Sequence, residues 1–337
     1  MIWIPWSRPG LALAIVMVTI PAQGSDDPRG WLDRMGYALE YLNYEGTLVQ
    51  MQGADAAVMR VVHRVESGVP TERITAMDET GREIIRRGED VTCILPDQQA
   101  VLVDRRGNTN QATSPLREQF SGTVHFDDRY YRLAVASGGS LVGRETHLVT
   151  VRPTDGYRYG YRLWLDRATA MPLKVQIAGD DDIVVEQLLF SDISLPDRIP
   201  ASSVQPSVPM DRFTWRRSPS PAAVGAVPVA GSGEAAWTVT VLPPGFRLRA
   251  VRAQRAEPGE APLDQLVYSD GVASVSVFIE AVVAAAEQGS EGPSHIGAAN
   301  AYTTVIKGHL VTAVGEVPVR TVEVIARSVQ PAVRPEP

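Results

Sequence analysis

The sequence contains a single cysteine, Cys93, in 337 residues. No intramolecular disulfide can form, so hydrophobic cores rather than covalent cross-links must stabilise the fold. Cys93 lies in the apolar run 91–95. A buried and unreactive thiol is the better interpretation of that position, because a nucleophilic thiol needs polar or cationic neighbours that lower its pKa.

The sequence also lacks the motifs of the common enzyme classes. It has no Gly-x-Ser-x-Gly elbow, no His-Glu-x-x-His pair, no phosphate-binding loop and no dinucleotide fingerprint. The best candidate for a hydrolytic or metal site is His125 with Asp127 and Asp128, and a solvated loop is the better interpretation of that group. We therefore predict that the protein is not an enzyme and has no catalytic residues, metal or cofactor.

Positive charge and long apolar runs are scarce as well. The chain has 32 Lys and Arg against 39 Asp and Glu, a net charge of -7, which argues against nucleic acid as a partner. One apolar run, 11–20, follows Arg8 and precedes Ala22 and Gly24 at a small-x-small cleavage position. Because it is shorter than the roughly 20 residues that cross a bilayer, we predict a cleaved signal peptide and export.

A period-two pattern is the clearest structural signal in the chain. In the run 157–166, apolar residues occupy the odd-numbered positions from 157 to 165, so they share one face of a strand. Similar runs at 147–152, 171–178 and 183–190 are separated from it by turns rich in Gly, Asp and Pro. We predict four consecutive antiparallel strands that form a meander.

The other runs predict an α+β fold. Asp27 and Pro28 begin a helix, about ten short strands follow, and the run 130–136 has a spacing compatible with a second helix. A sheet of that size curls. We predict a large curled antiparallel sheet, an unclosed half-barrel with covering helices, whose interior is either a packed core or a ligand cavity.

Composition divides the chain into segments. The region 197–236 is rich in Pro, Ser, Ala, Val and Gly, and the stretch 213–215 within it is expected to pack back on the first domain. Strand-like runs and a helix at 318–329 then predict a smaller α+β C-terminal domain. The predicted segments are a signal peptide 1–24, a large domain 25–216, a linker 217–236, a small domain 237–330 and a disordered tail 331–337.

A cluster of basic residues is the first candidate for a ligand site. Arg82, Arg86 and Arg87 could bind an anionic head group, because guanidinium groups bind phosphates through paired hydrogen bonds. The alternative, which the residues alone favour, is a solvated face balanced by neighbouring acidic residues.

Aromatic residues are the second group of candidates. Tyr157, Tyr159, Tyr161 and Trp164 could form the wall of a cavity for acyl chains, or they could pack in an ordinary core. Which face of that strand is concave stays open. In the small domain Phe246, Tyr268 and Phe278 are candidates for a partner surface, with the core of the domain as the favoured alternative. 

Several short stretches in both domains form a recognisable series. They are 31–35, 42–46, 82–88, 157–166 and 171–173 in the first domain, and 242–246, 268–271 and 314–318 in the second. Together they resemble the sigma-E regulatory proteins of the RseB/MucB family, and their joint order along the chain is more specific than any one of them.

The resemblance implies a periplasmic negative regulator of the sigma-E envelope-stress response. Such proteins bind the periplasmic domain of an RseA/MucA-type anti-sigma factor, protect it from regulated proteolysis and release it on sensing a lipid-bearing signal. The large domain of the family is similar to the lipoprotein carriers LolA and LppX. This similarity implies a sensing cavity for lipopolysaccharide or lipoprotein acyl chains and favours the ligand-binding alternatives above.

Two other functions stay open. The first is a periplasmic lipid or lipoprotein carrier of LolA type, which would use the same half-barrel. The second is a hydrolase built on His125 and Asp127. We also consider a homodimer, although no particular residues in the sequence indicate one.

Overall fold

A computed structural model of the chain describes residues 27–88, 90–105, 116, 120, 126–179, 181–217, 236–254, 263–282 and 291–332. The predicted signal peptide, almost all of the predicted linker and most of the tail lie outside these ranges, as does His125. The segment boundaries therefore stay predictions. No helix within the described ranges is long and apolar enough to cross a membrane.

One large sheet contains twelve strands within the described ranges. They are β1 (Tyr44–Gln52), β2 (Asp55–Glu66), β3 (Val69–Ala76), β4 (Glu83–Arg87), β5 (Asp90–Leu95), β6 (Ala100–Arg105), β7 (Tyr131–Leu141), β8 (Arg144–Pro153), β9 (Gly160–Asp166), β10 (Pro172–Ala178), β11 (Val184–Ser194) and β12 (Thr214–Arg217). Their order across the sheet is β12, β6, β5, β4, β3, β2, β1, β11, β10, β9, β8, β7.

The sheet is an open, curled layer, as the sequence predicted. Strands β7 and β12 are its two edges. The pairing register shifts within β1, β7 and β10, and such irregularities increase the local twist of a sheet. The predicted meander is confirmed, because β8, β9, β10 and β11 are consecutive antiparallel neighbours. Strand β9 begins at Gly160, so residues 157–159 precede it as an irregular segment.

The helix predicted at 130–136 is wrong. Residues 131–136 belong to β7, which pairs with β8 from Tyr131 opposite Pro153 to Leu141 opposite Arg144. Tyr131, Leu133 and Val135 point into the core at period two. Ala134 and Ala136 flank Val135, and Ser137, Gly138 and Gly139 follow, so the run offers too little contrast between polar and apolar positions to reveal that alternation.

Helix α1 (Pro28–Tyr41) covers part of the concave face of this sheet. The Asp27 carboxylate accepts hydrogen bonds from the backbone N–H groups of Arg29 and Gly30, which confirms the predicted N-cap. The helix buries one stripe of residues, including Trp31 and Met35, in the core formed by the sheet. Described residues Leu116 and Phe120 complete the same core.

The small domain is a second sheet with its own core. Its strands are β13 (Trp237–Val239), β14 (Arg247–Gln254), β15 (Leu263–Ser269), β16 (Ser274–Ala281), β17 (Gly292–Ile296), β18 (Ala299–Ile306), β19 (His309–Gly315) and β20 (Val329–Pro331). Six of them form an antiparallel sheet in the order β14, β15, β16, β19, β18, β17, and β13 pairs with β20. Helix α2 (Val319–Arg327) packs on β18 and β19 and buries Val322 and Ile325, in agreement with the predicted helix.

Strand β12 leads the chain back to the large sheet. It pairs in parallel with β6, from Thr214 opposite Ala100 to Arg217 opposite Val103. This pairing confirms that the stretch 213–215 packs on the first domain.

Candidate functional site

A cavity of about 820 Å³ lies between the concave face of the large sheet and two loops of the small domain, one at 272–274 and one that contains Glu316. Its apolar wall comes from the hairpin strands β1 to β4, where Met59, Ile74 and Ile84 lie on neighbouring strands. The loop at 272–274 of the small domain closes one side. The volume is within the range of about 300–1,000 Å³ that is typical of small-molecule sites.

Polar side chains occupy the deep part of this cavity. Tyr161 on β9 and Glu186 on β11 both pair with Ile177, so they flank it on the same face of the sheet. Glu186 accepts a hydrogen bond from Gln50 Nε2 at 2.8 Å. The Tyr161 ring packs edge-on against Phe120. Burial, with a contribution from the charge of Glu316, raises the pKa of the Tyr161 phenol, which is therefore neutral at physiological pH.

Beside the cavity, a buried ion pair joins the two domains. Arg158, in the segment before β9, donates from Nε to Asp270 Oδ2 at 2.7 Å, and neither side chain has exposed surface. Its remaining guanidinium N–H groups donate to Asp155 and to the backbone carbonyl of Pro244. Burial lowers the pKa of Arg158, but Asp270 and Asp155 outweigh it and the pKa is raised. We call this group, with Tyr130, Tyr131 and Phe246, the interdomain joint.

Aromatic rings enclose the guanidinium of the joint. The Arg158 Cζ atom lies 4.4 Å from the centre of the Tyr130 ring and 5.4 Å from that of Phe246. Gly245 approaches Tyr130 so closely that an added Cβ would lie 2.5 Å from the ring, and its φ of +87° also favours glycine. The Pro-Pro-Gly-Phe turn is therefore shaped to fit against the large domain.

The two oxygens of the Asp270 carboxylate accept hydrogen bonds from different parts of the structure. Oδ1 accepts hydrogen bonds from the backbone N–H groups of Val272 and Ala273 and so shapes the loop that closes the cavity. Oδ2 accepts from Arg158 and, at 3.1 Å, from the Tyr131 hydroxyl. One side chain thus connects the cavity wall to the interdomain joint.

Two further hydrogen bonds support the joint. Asn300 Nδ2 donates to the Tyr159 hydroxyl at 2.8 Å, and the Thr321 hydroxyl donates to the backbone carbonyl of Tyr157 at 2.8 Å. The irregular segment 155–159 is therefore held by the small domain at several points.

The three predicted arginines lie in different surroundings. Arg82 is exposed at the mouth of the cavity. Arg86 is buried on the concave face, where its Nη1 lies 3.8 Å from Glu72. Arg87 is exposed at the end of β4. Only Arg82 lines the cavity among the three, and the predicted role in head-group binding stays a prediction.

The four predicted aromatic residues also lie in different surroundings. Tyr161 lines the cavity, whereas Tyr157 and Tyr159 contact the small domain. Trp164 lies on the opposite face of β9, with Lys174 Nζ 4.6 Å from the centre of its ring. The face that carries Tyr161 is the concave one, which the sequence had left open.

The candidates for a partner surface lie in and around the small core. Phe246 and Tyr268 are buried in it, and Phe246 also contacts Arg158 of the joint. Leu266 and Val277 point into the core from one face of the sheet, and Phe278 is half-buried on the other face. Their contact with a partner stays a prediction.

The residues around the hydrolytic candidate form ordinary ion pairs. Asp127 pairs with Arg129 at 2.6 Å and Asp128 with Arg29 at 2.5 Å. Within the described ranges, no group of three or more His, Cys, Asp or Glu residues is arranged to hold a metal ion.

The sequence missed Arg158, Asp270, Gln50 and Glu186. The sequence 269–271 is typical of a tight turn, but nothing in it indicates that Asp270 contacts the other domain. Strict alternation over 157–166 predicts Arg158 on the face opposite the tyrosines, but residues 157–159 are not part of the strand.

Comparisons with known proteins cover both domains. A family model for the MucB/RseB N-terminal domain matches residues 27–208, and one for the MucB/RseB C-terminal domain matches residues 231–330. The sigma factor AlgU regulatory protein MucB of Pseudomonas aeruginosa is 28% identical over 325 residues, which cover 94% of this chain and 94% of that protein. The sigma-E factor regulatory protein RseB of Escherichia coli K12 is 23% identical and covers 96% of this chain and 97% of its own length.

A solved structure is similar over the same length. The crystal structure of MucB in complex with MucA(peri) matches with a TM-score of 0.68 and 25% identity, covering 91% of this chain and 100% of that one.

Proposed function

The chain belongs to the MucB/RseB family, and we propose that it binds the periplasmic region of an RseA/MucA-type anti-sigma factor. The observation that carries the proposal is the similarity, over 91% of this chain, to MucB in its complex with MucA(peri). In this proposal the protein acts in the periplasm, protects the anti-sigma factor from regulated proteolysis and releases it when a lipid-bearing signal arrives.

The cavity and the interdomain joint support a mechanism of release. A ligand changes the affinity for a partner only if it binds two conformations unequally. An amphiphile in the cavity would contact the loop 272–274, whose shape depends on Asp270 Oδ1. Because Oδ2 of the same carboxylate holds Arg158, a shift of that loop would reorient the two domains and the surface they offer to the partner.

Binding of the partner is tested with the mature protein, without residues 1–24. We expect it to retain the purified periplasmic region of a MucA-type anti-sigma factor on an affinity column and to give a measurable Kd by calorimetry. Absence of binding by a folded protein would contradict the proposal.

Protection and release need a second experiment. The anti-sigma segment is incubated with its site-specific protease, with and without this protein and with and without lipopolysaccharide. We expect slower cleavage when the protein is present and faster cleavage when lipopolysaccharide is added to the complex. Equal cleavage rates with and without the protein would argue against protection.

A second function, that of a lipid or lipoprotein carrier, is favoured by the size and apolar wall of the cavity. Acyl chains that copurify with the protein and pass to an acceptor membrane, together with no anti-sigma binding, would support it. A homodimer remains a prediction that sedimentation of the mature protein would test.

A further inference from the structure

We propose that the free edge of β7 is a docking site for another protein, which adds an extended segment with an acidic side chain as a further strand of the large sheet. This edge lies outside the cavity, so the site goes beyond the ligand-controlled release described above. Its backbone groups, its charges and a neighbouring cleft support the proposal.

β7 is the least protected edge strand within the described ranges. It has eleven residues with no proline and a single charged side chain, that of Arg132. The opposite edge, β12, has four residues, two of them arginines, and the edges of the small sheet contain three arginines in β14 and a proline in β17. Proteins protect edges with charges, prolines or short strands, because open backbone groups bind other strands.

The pairing of β7 with β8 determines which backbone groups point outward. Tyr131 lies opposite Pro153, but its N–H donates to the carbonyl of Asp127. The N–H of Thr154 donates to the carbonyl of Tyr130. This is the pattern around an antiparallel pair that has no mutual hydrogen bonds, and such pairs alternate with bonded ones along the strand.

Leu133 and Val135 are the next two residues with the same orientation. Their N–H and C=O groups point away from β8, and no hydrogen bond within the described ranges occupies them on that side. Both side chains pack on the core and are half-buried. An added antiparallel strand would form about four backbone hydrogen bonds with these two residues and cover their exposed apolar surface.

A cleft of about 450 Å³ lies between the first turn of α1 and the first residues of β7, with Pro28 and Leu133 as apolar lining. Strand addition takes its specificity from such pockets, which receive alternate side chains of the added strand. A side chain opposite Leu133 would lie at this cleft. Because Arg29 and Asp128 in the cleft pair with each other at 2.5 Å, an uncharged side chain suits it.

Two arginines face each other beside the same edge. Arg132 lies directly opposite Arg152 on β8, both side chains are exposed, and neither forms a salt bridge with a described carboxylate. Like charges in this arrangement repel each other. Arg132 Nη1 donates to the backbone carbonyls of Asp128 and Tyr131. Since the Tyr131 carbonyl points outward, the guanidinium lies at the outer edge, where a carboxylate of an added strand would pair with it.

The charges favour a different protein over a second copy of this chain. β7 contains no Asp or Glu, so two β7 edges that paired with each other would bring arginines together and supply no carboxylate. The fitting segment has apolar side chains on the face of Leu133 and Val135 and an acidic side chain beside Arg132.

The probe is a backbone-cyclised β-hairpin peptide, because a preformed strand avoids the entropic cost of ordering. One strand reads Thr-Val-Thr-Val-Glu with the valine N–H groups directed outward, and the other contains only Thr and Lys. In antiparallel register the valines lie opposite Val135 and Leu133, and the glutamate lies opposite Arg132. We expect the mature protein to bind the labelled hairpin with a Kd below about 1 mM in fluorescence anisotropy. No binding at that concentration would overturn the inference.

N-methylation of the hairpin separates strand addition from a less specific apolar contact. Methyl groups on the two valine nitrogens remove the outward donors, and they should weaken binding by at least about tenfold. The matched control has two methyl groups on the outward nitrogens of the other strand and should bind as the unmodified hairpin does. Equal Kd values for the two methylated peptides would contradict pairing through the backbone.

Two substitutions of Val135 test the same bond from the side of the protein. Val135→Pro removes an outward donor at an edge, where proline is tolerated, and Val135→Ala loses side-chain packing but keeps the N–H. We expect binding to weaken by at least about tenfold for Val135→Pro and by no more than about threefold for Val135→Ala. Equal binding by the two folded variants would contradict the proposal. If circular dichroism shows that Val135→Pro does not fold, the methylated peptides decide.

Arg132→Gln tests the charge. It should weaken binding of the hairpin by about threefold, the size of one exposed ion pair, and leave unchanged the binding of a hairpin with Gln in place of Glu. Arg216→Gln is the matched control, because it removes the same charge from an exposed position on β12, the opposite edge. An equal loss for both variants would show that only net charge matters and would overturn the choice of an acidic segment.

Other occupants and the proposed function give separate results. A dimer in sedimentation that Val135→Pro abolishes and Val135→Ala preserves would mean that a second copy occupies the edge, and the inference would be wrong. Binding of the hairpin without binding of the anti-sigma segment would support the docking site and contradict the proposed function. Binding of the anti-sigma segment without binding of the hairpin would do the opposite.

Discussion

The interdomain joint and the cavity lie side by side, but their buried polar groups differ in whether protein partners satisfy them. In the joint, Arg158 and Asp270 have no exposed surface, and the guanidinium has an acceptor for each nitrogen group. In the cavity, Glu186 and Tyr161 are also almost fully buried, yet they face about 820 Å³ of open space. The joint is complete without a ligand, whereas the cavity offers acceptors to one.

This difference separates stability from binding. Buried ion pairs tolerate the loss of one member poorly, because the remaining charge is desolvated and uncompensated. Acceptors that face an open cavity keep access to solvent or ligand, so their removal costs less. Substitutions in the joint should therefore reduce stability, and those in the cavity should change affinity.

The largest effect is expected for Asp270→Ala. It leaves Arg158 buried without its main partner and removes the acceptor for the loop at 272–273. We expect the free energy of unfolding to fall by about 3–5 kcal/mol, measured by urea denaturation followed by circular dichroism. The double variant Arg158→Met/Asp270→Ala should recover a large part of that loss, since apolar groups can replace a buried pair.

Asp264→Asn is the control for this prediction. Asp264 lies on β15 of the same sheet, and burial raises the pKa of its carboxyl, with a smaller opposing effect of His309. Its charge is therefore unfavourable in the folded state, and its loss should change stability by no more than about 0.5 kcal/mol. A loss below about 1 kcal/mol for Asp270→Ala would mean that the joint does not hold the domains together.

The next largest effects on stability are expected for substitutions of Tyr131 in the joint and Tyr161 in the cavity. Burial, together with Asp270, raises the pKa of Tyr131, and burial raises that of Tyr161. Above the ordinary pKa of about 10 the phenol ionises in the unfolded state but stays neutral in the folded state. The free energy of unfolding therefore falls by about 1.4 kcal/mol per pH unit above that value, and it is unaffected below it. Tyr131→Phe and Tyr161→Phe should each make unfolding less sensitive to pH between about 10 and 11.

At neutral pH the two variants should differ. Tyr131→Phe loses the hydrogen bond to Asp270 and should cost about 1 kcal/mol. Tyr161→Phe loses no hydrogen bond to a described residue and should cost almost nothing. Urea denaturation at pH 7 and at alkaline pH measures both effects, and an equal cost at pH 7 would contradict the distinction between joint and cavity.

Most of the large sheet could be predicted because its strands alternate strongly. Strand β9 and its neighbours have apolar residues on one face, and short turns fix their antiparallel order. In the small domain the sequence predicts strands at 237–241, 265–269, 272–280, 302–307 and 309–315, which do not include β14 and β17. They are edge strands with one neighbour each, and an edge tolerates the arginines of β14 and Pro293 in β17, which remove the usual pattern.

The site could be predicted only where it coincides with a strand. Tyr161 belongs to β9 and points as its period requires, whereas Tyr159 and Arg158 precede the strand and are both buried. Alternation does not apply to such a segment, and its side chains are oriented by contacts with residues more than a hundred positions away. No local pattern contains that information.

A smaller effect within the joint is expected for the pair Tyr159 and Asn300. Their hydrogen bond of 2.8 Å crosses the domain boundary, and Asn300 also donates to the backbone carbonyl of Val317. A double-mutant cycle of Tyr159→Phe and Asn300→Ala isolates the shared bond. We expect a coupling energy of about 1 kcal/mol. Strict additivity would show that this bond does not contribute to the joint.

A substitution that fills the cavity is expected to have little effect on stability and a clear effect on binding. Ala57 is exposed on β2, pairs with Gln50 and lines the cavity. Ala57→Trp should change the free energy of unfolding by no more than about 0.5 kcal/mol, because no buried contact is lost. Displacing about two methylene groups of a bound alkyl chain should weaken decyl maltoside binding by about 1.6 kcal/mol, more than tenfold. Ala134→Trp adds the same ring to an exposed position on β7 and should leave that Kd unchanged. If both variants bind decyl maltoside as wild type does, the alkyl chain lies elsewhere. The cavity would then not be the ligand site that distinguishes it from the joint.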